Sequence, residues 1–242
     1  MLEALLWGLA ASSALLIGAA LALVIEAPRR IVALLIAFGA GALVSVVSVE
    51  LAEEALRMGG TVPFAIGLGG GGLVYFTGNH ILHRVGGRRA RRAGSAGAAT
   101  NGPAIVLGVV LDGIPESLAL GATLLDGQIG IAFLAAVFVS NLPEAFAGTR
   151  DLLEEGRRPR LILALWATVA LISTAAAVLG YVVLGGVSDV PLALVQAFAA
   201  GAILCMLADT MMPEAYEHGG GVVGLATVVG FAIAFLLSSV NG

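Results

Sequence analysis

Runs of about twenty apolar residues follow one another along this chain with only short polar breaks, and about 20 such residues carry a helix across a bilayer core. The runs fall at approximately 3–26, 31–52, 62–82, 103–125, 129–149, 161–184, 191–212 and 220–240. Composition agrees: 59% of residues are hydrophobic and 12% are charged, against about a quarter charged in ordinary soluble domains. The expected fold is therefore all-α, a single polytopic membrane domain over residues 1–242 with eight transmembrane helices.

All twelve basic residues are arginines, and their placement sets an orientation. Arg29 and Arg30 follow the first run, Arg84, Arg88, Arg89, Arg91 and Arg92 the third, and Arg150, Arg157, Arg158 and Arg160 the fifth; only Arg57 falls in an alternate break. Cytoplasmic connections carry the excess of positive charge, so both termini are expected outside the cytoplasm, in a multi-pass plasma-membrane protein. The segment 83–103 is expected to be a cytoplasmic loop whose arginines signal topology or meet anionic lipid rather than nucleic acid. The N-terminus has no basic stretch of the kind that opens a signal peptide, so the first span is expected to be retained.

The 34 glycines suit close helix packing and are compatible with a homodimer. The single cysteine, Cys205, excludes an internal disulfide and reads as a core filler. Two internal similarities say more. The segment from Phe38, FGAGALVSVVSVELAEEA, aligns with FAAGAILCMLADTMMPEA from Phe198, matching Glu54 with Glu214 and Ala55 with Ala215. The fourth and fifth spans share LDGIPESLA and SNLPEAFAG. Since the matched spans are expected to run in opposite directions, the pattern predicts inverted-repeat pseudo-symmetry, a common construction for alternating-access transporters.

Chemistry is concentrated in the fourth and fifth spans. Asp112 and Glu116, four residues apart, share one helical face; Asn141 and Glu144, three apart, share another. A carboxylate at mid-membrane costs about 2.5 to 3.5 kcal/mol and needs an interior partner, yet no arginine lies inside any predicted span. The compensating charge must then come from a bound cation or a proton. Pro115 and Pro143 precede the two glutamates and each removes one helical N–H, which predicts free carbonyl oxygens at Leu111 and Val139. The predicted site is rich in oxygen donors.

These motifs resemble those of the ZIP family of divalent-metal transporters, which carries His-Asn-x-Pro-Glu-Gly in its fourth span and a related sequence in its fifth. Pro115, Glu116, Asn141, Pro143 and Glu144 match; Asp112 stands in place of histidine, Gly113 of asparagine, and Ser140 of histidine or glutamine. The segment from Ala208, ADTMMPEAYEHGG, resembles the end of the family's seventh span. The resemblance implies a metal site of Asp112, Glu116, Ser140, Asn141 and Glu144, with Asp209 as a further deep acid. It also implies transport of zinc, manganese or iron(II) towards the cytoplasm. The ion is cargo, so no prosthetic group and no enzymatic activity are expected. Loss of the histidines hardens the ligand set and turns the expectation from zinc towards manganese or iron(II). The sixth span offers only Ser173 and Thr174, which predicts one metal rather than two.

Other polar residues lie nearer the span ends. Glu50, Glu53 and Glu54 form a predicted outer cluster, Glu214, Glu217 and His218 an inner one, and His80 with His83 a weak inner pair; Met206, Met211 and Met212 read as packing. Two other functions remain open: a degenerate relative that binds metal or protons without moving them, or an intramembrane hydrolase, suggested by a loose likeness of Glu53-Glu54 to the paired glutamates of membrane-embedded prenyl-protein proteases.

Overall fold

A computed structural model describes residues 1–92, 102–126 and 130–241 of the chain. Its regular elements are all helical: α1 (Leu2–Val24), α2 (Arg29–Val46), α3 (Glu54–Gly59), α4 (Thr61–Arg92), α5 (Gly102–Thr123), α6 (Ile131–Glu154), α7 (Pro159–Leu184), α8 (Asp189–Met206), α9 (Met212–Gly219) and α10 (Val223–Asn241). A π-helical segment, Val47–Glu53, joins α2 to α3, and another, Leu207–Met211, joins α8 to α9. Among the described residues, five helical stretches are long and apolar enough to cross a membrane: Leu2–Val24, Arg29–Gly59, Ile131–Glu154, Pro159–Leu184 and Asp189–Val240.

Several boundaries differ from the sequence reading. The second span runs on through the π-segment to Gly59, and the seventh to Gly219, because a π-segment bends a helix without ending it. Both stop at a glycine with positive φ, Gly60 at 76° and Gly220 at 69°, a conformation that other L-residues rarely adopt. The expected loop at 83–103 is shortened, since α4 continues through Arg92, and residues 93–101 lie outside the described part.

Helix α2 is largely buried. It packs on α6, α9 and α10, and its residues Ile36, Ala37, Ala40, Leu43 and Val46 belong to the main core. Contacts along its length give directions. Gly219 faces Ala33, Gly41 faces Thr227 and Glu50 meets Ser238, so α2 and α10 run parallel. Arg29 pairs with Glu154 while Gly39 lies against Ser140, so α2 and α6 run antiparallel.

The pair α4–α8 is built like the pair α2–α10. A Cβ added at Gly41 would overlap the Thr227 carbonyl oxygen, and one at Gly230 the Phe38 carbonyl oxygen. Equivalent overlaps join Gly201 to Leu68 and Gly71 to Phe198. Phe38 and Phe198 are the first residues of the internal similarity, so the repeated sequence makes repeated contacts. Such backbone-to-backbone approach is open only to small residues and replaces hydrophobic drive, which is absent between helices in lipid.

Adding a methyl to this contact should therefore be costly. Gly71→Ala should destabilise the protein by about 1 to 3 kcal/mol, lowering the thermal midpoint in detergent by about 2 to 10 °C. Gly69→Ala, where an added Cβ meets nothing within 4 Å, should leave the midpoint unchanged or slightly higher.

Candidate cation site

Helices α5 and α6 carry their Pro-Glu motifs without interruption, with Pro115 and Pro143 inside the helices. Glu116 is 3% exposed, and Asp112, Asn141 and Glu144 are partly buried. The charges of Asp112, Glu116 and Glu214 all act on Glu144, that of Asp112 acts on Glu116 and that of Glu214 on Asp112, so the three acids predicted together share one electrostatic neighbourhood. The arginine ion pairs among the described residues lie elsewhere, at Arg29–Glu154, Arg57–Glu54 and Arg157–Glu155.

Asp112 has a neutral partner that sequence reasoning missed. Tyr75 of α4, 2% exposed, donates its phenolic hydrogen to Asp112 Oδ1 at 2.5 Å, and its oxygen lies 3.1 Å from Thr210 Oγ1. The only available signal was a polar aromatic in a glycine-rich span. Gly113, in the place of the family's asparagine, sets its backbone against α7, where an added Cβ would lie 3.0 Å from Ser173 Oγ.

Ser140 is buried, its hydroxyl donates to Val137 O at 3.0 Å on its own helix, and its backbone packs on Gly39 of α2. Asp209 does not join the group. It lies on an exposed face, where Cys205 Sγ approaches one of its oxygens at 3.7 Å. The π-segment holding Asp209 takes an extra residue per turn and so rotates the turn beyond it; Glu214, four residues past Thr210, is the acid of this arm whose charge acts on Asp112 and Glu144.

A cavity of about 380 Å³ between α2, α6 and α9 is lined by Arg29, Arg150, Asp151, Glu154, Glu217 and His218, with Glu214 on its wall. Glu214 interacts electrostatically with Asp151 and Glu217 in that cavity and with the acids of α5 and α6. The predicted outer cluster separates. Glu50 turns inward, accepting from Ser238 Oγ at 2.7 Å and from the Phe133 backbone; Glu53 is exposed, and Glu54 pairs with Arg57. His80 stacks on Phe76 on an exposed face, and the side chain of His83 lies outside the described part. Met206 and Met211 fill the main core.

Among the described residues, no three His, Cys, Asp or Glu side chains form a ready-made metal-holding group. Comparison with known proteins finds no matching family model and no matching curated protein.

Buried carboxylates without a counter-charge repel one another, and functional sites commonly carry such a cost in stability. At pH 8 and without metal, Glu116→Gln or Glu144→Gln should stabilise the protein by about 1 kcal/mol, or about 2 to 4 °C in the thermal midpoint. Asp209→Asn should leave it unchanged.

Proposed function

We propose that this chain is a divalent-cation carrier, similar to the ZIP family, that moves zinc, manganese or iron(II) towards the cytoplasm through a site on α5 and α6. One observation carries the reading. Asp112, Glu116 and Glu144 share an interior neighbourhood, and the arginine ion pairs of the described residues all lie outside it. A divalent cation supplies the missing positive charge and a proton supplies it in part, so the site has reason to hold a travelling ion. The donors are carboxylate, amide and hydroxyl oxygens, which suit manganese and iron(II) and accept zinc.

The route is read from the same features. The arginine-rich end, where Arg29 and Arg150 line the cavity, is assigned to the cytoplasm, so Glu214, Asp151 and Glu217 mark the way out. Glu50, beside Phe133 and Ser238, belongs to the opposite side. Eight spans with both termini outside, in the plasma membrane, complete the reading. The alike pairs α2–α10 and α4–α8 support a repeat, and the arginine placement, which sets the matched spans in opposite directions, supports an inverted one in which one half rocks against the other around the site. In this reading the metal is substrate and the lipid bilayer is the surrounding partner; a homodimer is compatible with the glycine-rich spans.

Purified protein in liposomes provides the test. Wild-type protein should accumulate manganese, iron(II) or zinc, and Glu116→Ala combined with Glu144→Ala should reduce uptake at least tenfold, about the effect of removing a main electrostatic partner of the ion. Undiminished uptake in the double variant would remove the site. Binding near one ion per chain without flux would make the protein a non-transporting relative instead.

A further inference from the structure

The Tyr75 phenol has one hydrogen and gives it to Asp112 Oδ1 at 2.5 Å, a separation typical of a hydroxyl bonded to a charged carboxylate. Thr210 must then be the donor in its 3.1 Å contact with the Tyr75 oxygen. The result is a directed chain, Thr210 to Tyr75 to Asp112, that crosses three elements: the π-segment after α8, then α4, then α5. The first two belong to the α4–α8 pair, locked by the Gly71–Phe198 and Gly201–Leu68 contacts. Helix α5 packs most heavily on α7, less on α8 and less again on α4, so Tyr75 ties Asp112 to the member of the α4–α8 pair that α5 touches less.

We propose that Tyr75 is the positioning residue of the cation site: backed by Thr210, it fixes Asp112 to the α4–α8 pair and leaves the ion to be taken through Asp112 Oδ2. The proposal rests on the reading of α5 and α6 as a cation site. A hydrogen bond to one carboxylate oxygen draws electron density from it, so Oδ2 becomes the better donor and capture through both oxygens is disfavoured. Calcium takes six to eight oxygens and readily uses both oxygens of a carboxylate, whereas manganese, iron(II) and zinc manage with fewer. The phenol therefore biases the site against the larger ion. A hydrogen-bonding partner behind a metal ligand typically changes affinity about 10- to 100-fold when removed.

The experiment compares manganese and calcium uptake by the full chain in liposomes for wild type, Tyr75→Phe, Thr210→Val and Asp112→Asn, and for Tyr75→Phe in the Asp112→Asn background. Tyr75→Phe should raise the KM for manganese about tenfold, keep the maximal rate within about twofold, and lower the preference for manganese over calcium. Thr210→Val should move both quantities the same way by less. Once Asp112 is asparagine, Tyr75→Phe should add nothing further. An unchanged KM and preference in Tyr75→Phe would overturn the proposal, as would a lost maximal rate at unchanged KM, because that marks a packing role. If Tyr75→Phe does not fold, Thr210→Val decides, and wild-type KM and preference in that variant overturn it. Wild-type protein that takes up no divalent ion would remove the transport reading itself; a Tyr75→Phe protein that transports like wild type removes only this proposal.

Discussion

Three carboxylates on two apolar helices, with the arginine ion pairs of the described residues all formed elsewhere, constrain everything around them. Each would cost about 2.5 to 3.5 kcal/mol at the centre of a bilayer, and their mutual repulsion adds to that. The bundle holds them in a frame built from close glycine contacts. Helices α2 and α10, and α4 and α8, meet backbone to backbone through glycines, a contact that needs no polar or charged group. Helices α5 and α6 are held in the same way, Gly121 of α5 against the Ala177 carbonyl of α7 and Gly18 of α1 against the Leu142 carbonyl of α6, and they carry the acids. Tyr75 reaches Asp112 from one of these locked pairs, and the backbone at Gly39, on the other, supports Ser140.

The two ends of the bundle are unlike. At the end bearing Arg29 and Arg150, a charged cavity leads inward to Glu214, whose field reaches the acids of α5 and α6. Towards the other end, Glu50 is held by Ser238 and Phe133, with Gly130 packed closely against it. Residue Glu50 and residue Thr210 stand at matching places in the internal similarity, each within a π-segment. Matching positions thus bond to matching helices, Glu50 to α10 and Thr210 to α4, through different side chains. The backbone pattern is kept while the side chains built on it differ.

Much of this was legible in the sequence because helical spacing is a strong code. Asp112 with Glu116, and Asn141 with Glu144, announce shared faces through their intervals, and the Pro-Glu pairs mark equivalent depths. Apolar run length similarly located the helices. Spacing fails where the helix itself departs from regular geometry. Past the π-segment at Leu207–Met211 a count of regular turns no longer reports which side a residue faces; depth along the span points to Asp209, which is exposed, whereas Glu214 is the acid whose charge acts on Asp112 and Glu144. The reach of α4 through Arg92 is hidden because glycine and arginine near a span end look like a connection. Tyr75 gives no periodic signal: its role depends on α4 meeting α5 and α8, a long-range fact no local pattern encodes.

The pairing of α2 with α10 has a consequence for how the protein is made. Helix α2 is synthesised well before α10, one of its closest neighbours. Throughout biogenesis its glycine face must remain without its native cover, open to lipid or to the insertion machinery. Assembly of α2 is thereby deferred until Val223–Asn241 has been made, and chains that stall before Val223 leave that face bare as a mark by which quality control can recognise them.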